Sequence, residues 1–155
     1  MAGDGSTTVF DPTKLPHEFR TRTYGPFSHA AGSGAVAIGV NTNVPIGEYF
    51  DRQQVIDSVS FMIDGTVAAA ARTFRLAYAT EGQTLAQAVS ANQYITSAGD
   101  FGQVGYVAGT TYAVTVDTTM NLVPAGSRLF LVLGASAETS LAGARIFIRY
   151  RSLLR

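Results

Sequence analysis

The sequence contains no cysteine, and that absence excludes disulfides, thiolate metal sites and thiol nucleophiles together. Histidine is almost as scarce. His17 and His29 both lie in a stretch broken by Pro12, Pro16 and Pro26, a poor place to hold catalytic geometry, and two imidazoles without thiolates do not make a recognisable zinc set. Charge is low as well: Asp, Glu, Lys and Arg make up 14% of the 155 residues, against roughly 25% in ordinary soluble domains. A surface that poor in charge suits a protein that covers part of itself with a partner. No run approaches the roughly 18 apolar residues of a membrane span. The opening Met1-Ala-Gly-Asp-Gly has neither the basic start nor the apolar core of a secretory leader. The expectation is synthesis in the cytosol without membrane insertion.

What charge there is has a pattern. The net charge is zero, so there is no chain-wide electrostatic footprint for nucleic acid. Between residues 35 and 127, however, three arginines stand against seven carboxylates, a balance of −4; from 128 to 155 five arginines stand against Glu138, a balance of +4. Complementarity within a subunit, complementarity between subunits and coincidence all fit this asymmetry. Lys14 is the sole lysine. The excess of arginine fits either codon bias or the use of bidentate, weakly hydrated guanidiniums at interfaces.

In chain order, residues 1–34 read as an extended arm, rich in Gly, Ser, Thr and Pro but studded with Phe10, Leu15, Phe19, Tyr24 and Phe27. Disordered linkers are usually poor in aromatics. These five residues are therefore expected to anchor the arm, on its own domain or on a neighbour. Residues 35–155 read as one domain, long enough to bury roughly two-thirds of its unfolded surface.

Within that domain, Ala35–Val40 suits a short strand. Val55–Ile63 alternates, and Asp64-Gly65 follows as a hairpin dipeptide. Arg72–Ala79 alternates again, with Phe74, Leu76 and Tyr78 on one face. Thr84 can cap one short helix within residues 84–95. Phe101–Val107 and Tyr112–Val116 read as a second hairpin. Arg128–Leu133 and Ala144–Tyr150, two apolar, β-prone runs joined by a small polar loop, read as a third. The fold class expected is all-β: an antiparallel β-sandwich or jelly roll with an N-terminal arm and at most one short helix.

No reaction is legible. Glu48, Asp51, Asp57 and Asp64 are scattered rather than arranged as a D-x-D-x-D calcium loop. Gly32-Ser33-Gly34 and Gly102-Gln103-Val104-Gly105 form neither a P-loop nor a dinucleotide fingerprint. No catalytic residue, cofactor or metal is expected. On the last strand Ile146, Ile148 and Tyr150 share a core-like face, whereas Arg145, Phe147, Arg149 and Arg151 share the other. That basic stripe reads as a solvated face, a subunit contact or an anion site.

The aromatic-studded arm, the Gly/Ala/Thr-rich sandwich, the lead Asn121-Leu122-Val123-Pro124-Ala125-Gly126-Ser127 and the closing strand Ala144–Arg151 together resemble jelly-roll structural proteins of tailed-phage virions, nearest to head decoration (cement) proteins. The resemblance implies a homo-oligomer, a trimer or similar, seated on the major capsid protein of the virion, without catalysis, membrane or direct nucleic-acid contact. Arg145, Phe147, Arg149 and Arg151 are then the candidate subunit contacts. A carbohydrate- or receptor-binding sandwich of a phage tail or fibre, with exposed loop aromatics stacked on sugar rings, and a jelly-roll coat subunit are the alternatives.

Overall fold

A computed structural model describes residues 19–28, 36–37, 42–65, 72–102, 106–136, 141 and 143–153. These residues form β1 (Phe19–Ser28), β2 (Val36–Ala37), β3 (Asn43–Phe50), β4 (Gln54–Met62), β5 (Arg72–Ala79), α1 (Leu85–Ser90), β6 (Gly99–Asp100), β7 (Thr111–Val114), β8 (Leu122–Val123), β9 (Ser127–Ser136) and β10 (Ala144–Ser152). The larger sheet runs β2-β1-β10-β4-β7, with β8 also on β4; the smaller runs β3-β9-β5-β6. Leaving the short β2 and β8 aside, the antiparallel pairings nest: β1 with β10, β3 with β9, β4 with β7 and β5 with β6. That is one long two-stranded ribbon wrapped on itself, the jelly-roll form of the β-sandwich.

Nesting corrects all three hairpin expectations. β9 and β10 do not pair; they face one another from opposite sheets, as do β4 and β5 across Asp64-Gly65. Phe101–Val107 is not a strand over its described residues. Phe101 is fully buried and stacks on Phe74 at 4.1 Å. The Asp100 carboxylate turns the chain there by accepting from Gly102 N–H at 2.9 Å and Arg72 N–H at 2.7 Å. The strand at this point is only Gly99–Asp100, and a Cβ on Gly99 would meet the Phe74 ring at 2.6 Å.

Ten residues of the expected arm belong to the sheet itself. Residues 19–28 form β1, an integral strand registered on β10 from Phe19↔Arg151 to Phe27↔Ala144. Phe10 and Leu15 lie outside the described residues. Tyr24 and Phe27 are core residues of their own domain. They share the inner face although three apart, because the β1–β10 register shifts between them. A shift in the β4–β10 register at Asp57 likewise turns Ile56 inward, onto the face of Val59 and Phe61 rather than the opposite one.

The core closes between the sheets. Ile146 and Ile148, fully buried, and Tyr150 face Phe50, Leu76, Leu129 and Leu131. Outside the smaller sheet lies α1, started by a capping box in which Thr84 Oγ1 accepts from Gln87 N–H and the Gln87 side chain accepts from Thr84 N–H. It packs Ala88 on Ala77, Ala79 and Phe130, all fully buried. Part of the smaller sheet's outer face is thus covered by a helix.

Candidate functional site

The outer face of the larger sheet is where the sequence placed its basic stripe. β10 carries Arg145, Phe147, Arg149 and Arg151 outward, with Phe19, Thr21 and Thr23 of β1 beside Arg151, Arg149 and Phe147. β4 brings Met62, Ser60 and Ser58 to the other side. Phe147 is half-buried and Arg149 exposed.

Register decides what each arginine does. Arg145 Nη1 lies 3.0 Å from Asp64 Oδ1, and Arg151 Nε 3.3 Å from Asp57 Oδ1. Both pairs join the basic C-terminal region to the acidic middle within one subunit, so part of the charge asymmetry is satisfied internally. Partly exposed pairs of this kind contribute about 0–1 kcal/mol each. Arg149 has no such carboxylate among the described residues. Its guanidinium lies over the Phe19 ring, 4.2 Å from the centroid, with Arg151 5.9 Å away on the same ring. Phe19 is 47% exposed, an aromatic anchor with a cation held on it. Of the anchors and stripe residues expected from sequence, the structure therefore brings together Phe19, Arg149 and Arg151.

A second feature had no sequence signal. Glu48 of β3 is buried, yet Tyr24 Oη donates to its Oε2 at 2.8 Å and Arg22 Nη1 stands 3.4 Å from the same oxygen. Burial, and then the bond to Glu48, push the Tyr24 phenol well above its ordinary value. This contact clamps β1 to β3 across the two sheets. Removing the donor with Tyr24→Phe leaves a buried carboxylate one hydrogen bond short and is expected to cost about 1–2 kcal/mol. The pH dependence has a definite sign. In the unfolded chain the phenol ionises near pH 10, so the contribution of Tyr24 is complete below that pH and declines above it. Urea titrations of both proteins between neutral and strongly alkaline pH should show the wild-type advantage shrinking above about pH 10; a gap independent of pH would break the assignment.

Among the described residues no group of three or more His, Asp or Glu could hold a metal ion. Among the described residues no helix is long and apolar enough to cross a membrane. No family model, curated protein or solved structure matches the chain.

Proposed function

We propose that the chain is a non-enzymatic structural protein of a phage virion, a capsid decoration or cement protein whose jelly roll packs into a homo-oligomer on the head. The observation that carries this reading is the open outer face of the larger sheet, with Arg149 laid over a half-exposed Phe19 at 4.2 Å. Arginine and aromatic residues dominate the energetics of interfaces. On the smaller sheet, α1 covers Ala77, Ala79 and Phe130.

A second copy of this chain is the occupant that fits. Glu48 is buried, Asp57 and Asp64 are engaged by Arg151 and Arg145, and Asp51 and Glu81 remain exposed. A basic face on one subunit meeting acidic positions elsewhere on the next is a head-to-tail contact, which forms a ring where the rotation between subunits closes. A trimer is the ring that the resemblance implies. Jelly rolls recur in viral capsid proteins, although fold alone does not assign function. The capsid partner rests on the layout of the chain, with Phe10 and Leu15 as the remaining proposed anchors.

Light scattering on the purified full chain is expected to give a trimer mass. Phe19→Ser combined with Arg149→Glu should weaken assembly by at least about thirtyfold, the loss of a hot spot worth about 2 kcal/mol, with an unchanged circular dichroism spectrum. Co-sedimentation with undecorated phage heads tests the partner. A chain that is monomeric at every concentration and does not sediment with heads would overturn the proposal.

A further inference from the structure

A second surface stands independently of the assembly reading. It is a cleft of about 500 Å³ beside β5, where segment 92–98 is laced between that strand and residues 115–117. Its floor is fixed by main-chain bonds. Tyr78 N–H donates to Gln93 O at 3.2 Å, Ile95 N–H to Leu76 O at 2.8 Å, Ser97 N–H to Thr115 O at 2.9 Å and Asp117 N–H to Ile95 O at 2.8 Å. Leu76 N–H adds a bond to Thr96 Oγ1 at 3.0 Å. A site held this way need not be ordered by its ligand, which removes one cost of binding.

Two opposite charges line the cleft without meeting. The Arg75 guanidinium lies over the Tyr94 ring, 4.9 Å from its centroid. Among the described residues this is its one contact, so the planar fork is oriented while its N–H donors stay available. Asp117 Oδ1 accepts from the Thr119 hydroxyl at 2.7 Å and the Thr119 N–H at 2.8 Å. Those bonds hold its carboxyl below the ordinary range, and a carboxylate with two bonds retains acceptor capacity. Asn92, in the left-handed region at φ 54°, Ser97 and Thr115 add uncharged polar groups.

We propose that this cleft binds an acidic saccharide, with the carboxylate of a uronic acid on the Arg75 fork and ring hydroxyls on Asp117 and Asn92. A guanidinium fork with free N–H donors can bind a carboxylate bidentately, and a volume of about 500 Å³ is in the range of small-ligand sites. A free amino acid would match the two charges but leave Asn92, Ser97 and Thr115 without partners. The sugar does not stack on Tyr94, because Arg75 already occupies that ring.

The test is a titration of the full-length protein with tetragalacturonate, followed by amide NMR shifts, with maltotetraose as the neutral control and glutamine as the amino-acid control. Shifts are expected at residues 92–98 and 115–117, with affinity at least about tenfold weaker for maltotetraose and for Arg75→Met. Arg75→Lys, which keeps the charge and loses the fork, should fall between, and Asp117→Asn should weaken binding with the melting temperature unchanged. The proposal is overturned if tetragalacturonate shifts nothing at millimolar concentration or shifts residues elsewhere. It is equally overturned if maltotetraose or glutamine binds as well, or if Arg75→Lys and Asp117→Asn leave the affinity untouched. Light scattering on the same samples reports assembly separately.

Discussion

Truncating Phe61 to alanine is expected to remove about 3–5 kcal/mol of folding free energy, a large share of the roughly 5–15 kcal/mol that holds a domain together. Phe61 sits on β4 at 1% exposure and is the meeting point of an aromatic cluster that bridges the sheets. Its ring lies edge-on to Phe74 at 5.4 Å, Phe101 at 5.3 Å and Tyr106 at 5.4 Å, and tilted to Tyr112 at 5.8 Å. Such pairs add about 0.5–1.5 kcal/mol each beyond the area they bury. Its neighbours are themselves paired, Phe74 stacked on Phe101 at 4.1 Å and Tyr106 tilted against Tyr112 at 4.0 Å, so they cannot collapse into the hole without breaking those pairs. Urea midpoints at fixed protein concentration are the measurement, because the proposed assembly would make stability concentration-dependent. Phe61→Leu, which keeps most of the volume, should lose less than half as much. A Phe61→Ala loss below about 1.5 kcal/mol, at the small end of core truncations, would mean that the cluster is not packed as described.

Strands β4, β5, β7, β9 and β10 were legible because each carries its own period, whereas β1 lies in the expected arm and β3 was not expected as a strand. Val59 and Phe61, or Ile146, Ile148 and Tyr150, announce a buried face from five or six residues of sequence, and Thr84 with Gln87 announces a helix start. The pairing was not legible. β9 and β10 are adjacent in sequence and both have a buried face, and that pattern is equally satisfied by lying side by side or by facing across a core. What chooses between them is the nesting of the whole ribbon, in which Tyr24 must meet Ile146 and Thr73 must meet Asp100. No local window contains that information. Bulges hide the period in the same way. Ile56 and Val59 share a face only because of the irregularity at Asp57, and Tyr24 and Phe27 only because of the one between them.

The candidate site divides along the same line. That Arg145, Phe147, Arg149 and Arg151 share a face follows from alternation alone. That Arg145 and Arg151 are engaged by Asp64 and Asp57, leaving Arg149 on Phe19, depends on the β4–β10 and β1–β10 registers. Exposed aromatics give a similar lesson for the saccharide-binding alternative. Among the described residues the large exposed aromatics, Phe19 and Tyr49, stand on strands rather than in loops, and the cleft beside β5 instead offers an arginine, an amide and a carboxylate. Glu48 had no sequence signature at all, since nothing near it in the chain indicates that Tyr24 will reach it from the other sheet.

Gly25, the one glycine of β1, should resist replacement, and Gly25→Ala is expected to cost about 3 kcal/mol or more by adding a backbone clash to a strain of about 1–3 kcal/mol. Its φ is +110°, a region that residues with a Cβ rarely adopt. A Cβ built there would lie 2.7 Å from the Ala144 carbonyl oxygen and 3.1 Å from Phe27 N. Both are main-chain atoms, so no rotamer change relieves the overlap; β1 must move off β10, the strand that carries the inner core and the outer arginines. Gly47 is the internal control. It too has positive φ, +78°, but nothing lies within 4 Å of its Cβ position, so Gly47→Ala should cost only the left-handed penalty of about 1–2 kcal/mol. Urea midpoints compare the two, and amide exchange along β1 should rise in Gly25→Ala alone. Equal losses in the two variants would mean that β1 tolerates displacement from β10. The open face carrying Phe19 and Arg149 would then lack the rigid strand pair on which its geometry depends.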